Sequence, residues 1–202
     1  MPTDSLLLKL NRQLLSNKPL MRRFIGNLID VLHSRLLEVI NLYLQADEAE
    51  LERRRYYNAN RSGYDIYPPM LDMMIGLADS TSYLYRSLQV SRCYFNGVIL
   101  QISLPTIKNK KPVIEKALDW QLKALKLEEN APYVHNELGL LYRLKGDVEK
   151  ARMHFLRAIQ IAPDWAVPQA NLVGVYALLN EFGKAEQAYE KAKALKPGLQ
   201  LA

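Results

Sequence analysis

Residues 132–163 read PYVHNELGLLYRLKGDVEKARMHFLRAIQIAP, and residues 166–197 read AVPQANLVGVYALLNEFGKAEQAYEKAKALKP. Tyr142, Ala151, Phe155, Ala158 and Pro163 return as Tyr176, Ala185, Tyr189, Ala192 and Pro197, each thirty-four positions later. Five matches in one register, large aromatics alternating with alanines, mark a stacked-repeat architecture rather than a compact enzyme fold. The repeat points to a binding scaffold and leaves its ligand open.

Each copy reads as helix, tight turn, helix. Leu138, Gly139 and Tyr142 belong to the first helix, Gly146 and Asp147 to the turn, and Ala151, Phe155 and Ala158 to the second helix, which Pro163 closes. Small residues at Gly139, Ala151 and Ala158 let two backbones approach, and Tyr142 and Phe155 fill the space between them. The second copy keeps Leu172 but carries Val173 where Gly139 stood, so its crossing is expected to be wider or tilted. It also replaces the Gly146-Asp147 turn by Asn180-Glu181-Phe182.

Upstream, Ala117 and Ala124 precede Ala151 and Ala158 by thirty-four residues, so the repeat starts earlier than its two clean copies. Pairing Gly97 with Gly139 gives a spacing of forty-two. The excess is assigned to Thr106–Pro112, a polar loop that makes this hairpin's turn an elongated one.

Helical periodicity continues toward the N-terminus, with no convincing strand alternation. Asp4 can cap a short helix bearing Leu6, Leu7, Leu10, Leu14 and Leu15. One long helix is expected from about Leu20 to about Tyr56, its first half apolar on most sides and therefore wrapped by neighbours, its Asp47–Arg55 end projecting into solvent. Asn58 to Pro69 is a connection rich in helix breakers. Pro69 then starts a helix through Ala78 with Met70, Met73, Met74 and Leu77 on one side. Asp79–Ser82 caps a helix of about twenty residues that ends before Pro105.

The alternation of large and small residues in 132–199 resembles the tetratricopeptide repeat. The resemblance implies an all-α, right-handed α-solenoid of antiparallel helix pairs, here with an N-terminal helical cap. The organisation expected is 1–82 as a helical region packing on the repeats, 83–131 as a degenerate elongated helix pair, and 132–165 and 166–202 as repeats, the second without a capping helix. About three units are normally needed for a stable stack, so the N-terminal helices are expected to supply the missing partner. Leu178, Leu179, Phe182 and Leu195 are then either partly exposed or covered, by self-association or by a further domain.

Repeats of this family bind extended peptides along the face built by the first helix of each unit. The resemblance places Tyr133, Asn136, Glu137, Leu140 and Arg143, then Val167, Ala170, Asn171, Gly174 and Ala177, on that face. One version of the family clamps a terminal carboxylate with lysines, asparagines and an arginine. Asn171 fits that pattern, but Leu140 and Ala170 stand where polar groups belong, which speaks against chaperone-tail binding of that kind.

The composition, 49% hydrophobic and 24% charged, is that of a soluble globular chain. The net charge of +6 is spread out, whereas phosphate binding asks for clustered cations. Arg53–Arg55 follows Asp47, Glu48, Glu50 and Glu52, which nearly cancel it. Lys108, Lys110 and Lys111 form the other cluster. The single cysteine, Cys93, rules out an intrachain disulfide and fits a reducing, cytoplasmic setting. The apolar stretch Phe24–Leu44 carries Asp30, His33, Arg35 and Glu38 in its middle, and so reads as a soluble helix rather than a membrane span.

No phosphate loop, paired metal motif or serine elbow is present. His135 and His154 lie on the two helices of one unit without a third ligand, so they read as core or groove histidines, and Cys93 reads as a buried thiol. No catalytic residue, cofactor or metal is assigned. Arg53, Arg54, Arg55, Tyr56, Tyr57, Arg61, Tyr64 and Tyr67 form a second candidate contact zone for a peptide or phosphate, against the plainer reading that the tyrosines pack the connection onto neighbouring helices. The functional expectation is a non-catalytic scaffold for a protein or peptide. The alternatives are a regulatory or assembly segment of a longer enzyme or signalling protein and, third, weak binding of nucleic acid or another anionic partner.

Overall fold

The computed structural model describes residues 18–55 and 63–199, and among them every regular element is helical. In chain order the α-helices are α1 (Lys18–Leu44), α2 (Glu48–Arg55), α3 (Tyr67–Leu77), α4 (Tyr83–Ser103), α5 (Lys110–Leu127), α6 (Pro132–Lys145), α7 (Val148–Ile161), α8 (Ala166–Leu178) and α9 (Phe182–Leu195), with 3-10 turns at Tyr64–Ile66 and Leu104–Thr106. Helices α4/α5, α6/α7 and α8/α9 pair, and α5 packs on α6 and α7 on α8. The result is an all-α helical-repeat solenoid.

The turn between α6 and α7 follows from its residues. Gly146 takes a left-handed φ of 90°, the Asp147 N–H returns to the Tyr142 carbonyl at 2.9 Å, and the Asp147 carboxylate accepts the Lys150 N–H to open α7. Thirty-four residues later Asn180 adopts φ 60°, and the Glu181 N–H bonds the Tyr176 carbonyl, also at 2.9 Å. Asparagine tolerates this region better than other side chains, so the geometry repeats although the residues do not.

Close crossing needs the small residues. A Cβ on Gly139 would sit 2.5 Å from the Phe155 ring, and one on Gly97 would sit 2.4 Å from the Gln121 amide. Gln121 stands thirty-four positions before Phe155, so α4/α5 cross at the position equivalent to the crossing in α6/α7. In α8/α9 Val173 and Tyr189 hold these places, and Tyr189 is 38% exposed where Phe155 is fully buried. The valine leaves the ring less room.

The Arg86 guanidinium donating to the Leu127 carbonyl at 2.9 Å and the Gln121 amide donating to the Tyr94 carbonyl at 3.1 Å show α4 and α5 to be antiparallel. The eight additional residues between the two crossing points are shared by loop and helix: six residues, 104–109, join α4 to α5 where two, 146–147, join α6 to α7, and α5 begins four residues earlier relative to its crossing residue than α7 does. Lys110, Lys111 and Pro112 are already helical, Pro112 in the first turn, where a missing N–H costs nothing.

Four other expectations are corrected. The long N-terminal helix breaks after Leu44: Ala46 turns left-handed at φ 50°, the Asp47 N–H bonds the Leu42 carbonyl, and Asp47 caps α2 by accepting the Glu50 N–H at 3.0 Å. The segment after the break does not project into solvent, since Glu50 is 1% exposed. Helix α1 is not wrapped on most sides. Ile29, Leu36, Val39, Ile40 and Tyr43 are buried, whereas Phe24 and Val31 are 53% and 61% exposed. Helix α3 starts at Tyr67 and buries Tyr67, Leu71 and Met74, leaving Met73 and Leu77 exposed. The proposed helix after Asp4 lies outside the described residues.

The main core joins α1, α3, α4, α5 and α6 around Leu36, Leu71, Met74, Phe95 and Leu138. Ala151, Phe155, Leu172, Val175 and Ala188 hold α7, α8 and α9 together. A third cluster, Tyr43, Ala46, Ala158, Trp165 and Val167, ties the α1–α2 corner to the repeats. Each large side chain so buried contributes about 1.5–3 kcal/mol.

Candidate interaction groove

Helices α6 and α8 are the first helices of the two clean repeats and are neighbours in the stack. One end of the face they form is filled by the chain's own α1–α2 corner. The Trp165 indole N–H donates to the Tyr43 carbonyl at 2.9 Å and meets the Tyr43 ring edge-on with centroids 5.0 Å apart. The Asn136 amide donates to the Tyr43 hydroxyl at 2.8 Å, and the Asn171 amide donates to the Asn136 carbonyl oxygen at 3.0 Å.

Arg54 is the centre of this contact. Its Nε reaches Glu50 of its own helix at 3.1 Å, its Nη1 reaches Glu137 of α6 at 3.0 Å and its Nη2 reaches the Tyr94 hydroxyl of α4 at 2.6 Å. The guanidinium carbon lies 3.3 Å from the centre of the Tyr43 ring, which adds a cation–π attraction. Tyr64 donates to Glu50, and Arg53, 3.5 Å from the same carboxylate, supplies the second cation. Two arginines thus face two buried carboxylates.

Burial works against the charge of Arg54, but Tyr94, Tyr64, Tyr43 and Glu137 outweigh it and hold the guanidinium protonated. Burial likewise raises the Glu137 carboxyl above its ordinary range, against Arg54 and hydrogen bonds from Tyr43 and Gln101, which lower it. Tyr43 and Tyr94 are pushed far up, chiefly by burial, and stay neutral. A pair this deep is costly to break from one side, because removal of one partner strands a buried charge.

The groove residues read from the sequence therefore divide. Asn136 and Glu137 are buried beneath the corner, and Val167 packs against it. Tyr133 is half-buried, edge-on to Tyr94 at 4.8 Å. Leu140, Arg143, Ala170 and Asn171 line a cavity of about 160 Å³ together with Tyr43, Leu51, Arg54, Arg55, Val167 and Leu199. Gly174 lies beside Arg143, and Ala177 is exposed.

In the second candidate zone, Arg54, Tyr64 and Tyr67 turn inward and Arg53 donates to the Tyr67 hydroxyl at 3.4 Å. Arg55 lies outside, paired with Glu52 at 3.3 Å. Tyr56, Tyr57 and Arg61 lie outside the described residues. The two zones meet through Arg54 and Glu137, a connection that sequence spacing does not reveal. Glu50, Tyr43, Tyr94 and Trp165 were absent from either set. Only the i, i+4 spacing of Glu50 and Arg54 gave a signal for any of them.

His135 and His154 do approach, with Nδ1 atoms 3.0 Å apart. Because the His135 Nε2 N–H donates to the Glu129 carbonyl at 3.1 Å, its Nδ1 accepts and His154 donates. His154 stacks on Tyr142, and burial, with His135 and Lys150 beside it, lowers its pKa to about 4. Among the described residues no three His, Cys, Asp or Glu side chains gather as metal ligands. The buried Cys93 thiol is shifted up, chiefly by desolvation. No helix among the described residues is long and apolar enough to cross a membrane.

The family model for the tetratricopeptide repeat matches residues 130–197. The chain is similar to the protein O-mannosyl-transferase Tmtc3 of Drosophila melanogaster, 26% identical over 138 residues, and to the protein O-mannosyl-transferase TMTC3 of Homo sapiens, 28% identical over 143 residues. Each alignment takes in 65% of this chain, and the chain spans 15% of the length of either relative. It is also 27% identical over 119 residues to the uncharacterized protein ycf37 of Pyropia yezoensis, covering 59% of this chain and 61% of that one. The thirty-four-residue period, the left-handed turn at the same point of both units and the family-model match agree in placing tetratricopeptide-like repeats over residues 130–197.

Proposed function

We propose that the chain is a non-catalytic scaffold that recognises a protein or peptide along the part of the α6/α8 face its own α1–α2 corner leaves open. The carrying observation is that Leu140, Arg143, Ala170 and Asn171 line an open cavity while Asn136 and Glu137, on the same face, are closed off. A rigid stack that already holds these side chains in place binds without spending ordering entropy on them. In this reading the chain carries no reaction step of its own and works in the cytoplasm.

A photo-crosslinking residue at Ala177, beside the open end, should capture one discrete partner in the native source. The same residue at Glu190, on the exposed side of α9, should capture none. Equal capture at both, or none at Ala177, would count against the groove.

A second reading makes the chain a regulatory or assembly segment of a longer protein, supported by its covering only 15% of the O-mannosyl-transferase relatives. Anionic-partner binding through Arg53–Arg55 loses support because Arg54 is spent on the chain's own carboxylates.

A further inference from the structure

Helix α9 repeats the face of α7 on which the next helix pair is stacked, and changes its chemistry. On α7 that face is Val148, Arg152, Phe155 and Ile159, whose spacing of four, three and four residues aligns them along one side. Phe155 is buried, Val148 and Ile159 pack against the core shared with α8 and α9, and Arg152 reaches Glu181 just before α9 at 3.3 Å. Thirty-four residues later the same stripe reads Phe182, Glu186, Tyr189 and Lys193. Here it lies open. Phe182 is 66% exposed, and Glu186 and Lys193 are exposed without an ion pair among the described residues. Leu178 marks no such face, because its equivalent Leu144 stays exposed within the stack.

The charges decide what can cover the stripe. A helix pair stacked here as α8/α9 stack on α7 would press aliphatic carbon onto Lys193, where Ile159 packs, and a desolvated ammonium without a counter-ion is costly. The stripe instead complements itself. Glu186 and Lys193 lie three and four residues to either side of Tyr189. Laid antiparallel on the same stripe of a second copy, with Tyr189 at the two-fold axis, Glu186 faces Lys193 of the second copy and Lys193 faces its Glu186. A parallel pairing would oppose like charges, which disfavours it. Lys193 already rests over its own Tyr189 ring, 5.8 Å from the centroid, so the ammonium stands beside the apolar centre of the stripe rather than away from it.

We infer that α9 is a self-association surface, through which two copies of this chain pair antiparallel by Phe182, Glu186, Tyr189 and Lys193. The interface is isologous, so each ion pair occurs twice, and Tyr189 supplies apolar area with a hydroxyl that reaches the wet rim. One helix face makes a small interface, so the dimer exchanges with monomer as concentration changes. No residue of α9 lines the cavity on the α6/α8 face, so this pairing and the groove reading fail separately. A crosslinker at Glu190, next to Tyr189, captures at most a second copy of this chain, which its mass separates from a groove partner.

Sedimentation velocity of the intact chain between about 1 and about 100 μM should show a monomer–dimer equilibrium. Glu186→Lys and Lys193→Glu each set like charges opposite one another twice, and each should weaken the dimer at least about tenfold. The chain carrying both substitutions should regain it. An equimolar mixture of the two single variants should also associate, because each copy then meets the opposite charge at both positions. Circular dichroism checks that these surface changes leave the helicity intact. A monomer throughout the range, a dimer indifferent to the single substitutions, or no recovery in the double variant or the mixture overturns the inference.

Discussion

At the scale of single residues, the tight Gly139–Phe155 crossing and the buried His154 each lend themselves to a direct test. Gly139 touches the Phe155 ring so closely that any Cβ must displace it, and Phe155 is fully buried, so the ring has no free space to enter. Gly139→Ala should cost about 1–3 kcal/mol of overpacking, read as a lowered denaturant midpoint, and Phe155→Leu in the same chain should recover part of it. His154 gives a second test. Its pKa is lowered from 6.5 to about 4 in the fold, so the folded state binds fewer protons than the unfolded one below pH 6.5. The associated stability is fully present above that pH and is lost as pH falls toward 4, by on the order of 2 kcal/mol. The groups facing it, His135, Lys150 and Tyr142, offer no carboxylate to hold the added proton. His154→Phe should flatten the pH dependence of urea unfolding between pH 6.5 and 4, and an unchanged slope would remove this explanation.

At the scale of elements, what the sequence revealed and what it hid have separate physical causes. The pairs α6/α7 and α8/α9 were legible because large–small alternation at fixed spacing is a local pattern, set by how two antiparallel helices cross. The ends of α4 were legible for the same local reason, with Ser82 capping the Tyr85 N–H and Pro105 closing the other end. The break after Leu44 was hidden. Nothing in Gln45-Ala46-Asp47 is a strong breaker, and alanine at φ 50° is a conformation held by its surroundings. A polar run from Asp47 to Arg55 reads as solvated because sequence cannot show that Glu50 and Arg54 have buried partners 14 and 83 residues away. Asp47→Ala removes the side-chain cap of α2 and should cost about 1 kcal/mol. Its effect should appear first as faster amide exchange in Leu51 to Arg55.

At the scale of the whole molecule, the N-terminal helices do more than close off the hydrophobic end of the stack. The corner from Tyr43 to Arg54 occupies the inner part of the α6/α8 face, through one indole, two asparagines and an ion-pair network. The candidate groove was legible as a set of positions on α6 and α8, but which of them remain open depends on this long-range docking. The most direct test is a double-mutant cycle on unfolding free energy with Arg54→Ala, Glu137→Ala and the double variant. The account predicts that each single change costs about 3–5 kcal/mol and that the double costs well under the sum, with a coupling of at least about 2 kcal/mol. Losses that add to within about 0.5 kcal/mol would mean that the corner is not docked on the repeat face, and would contradict the account.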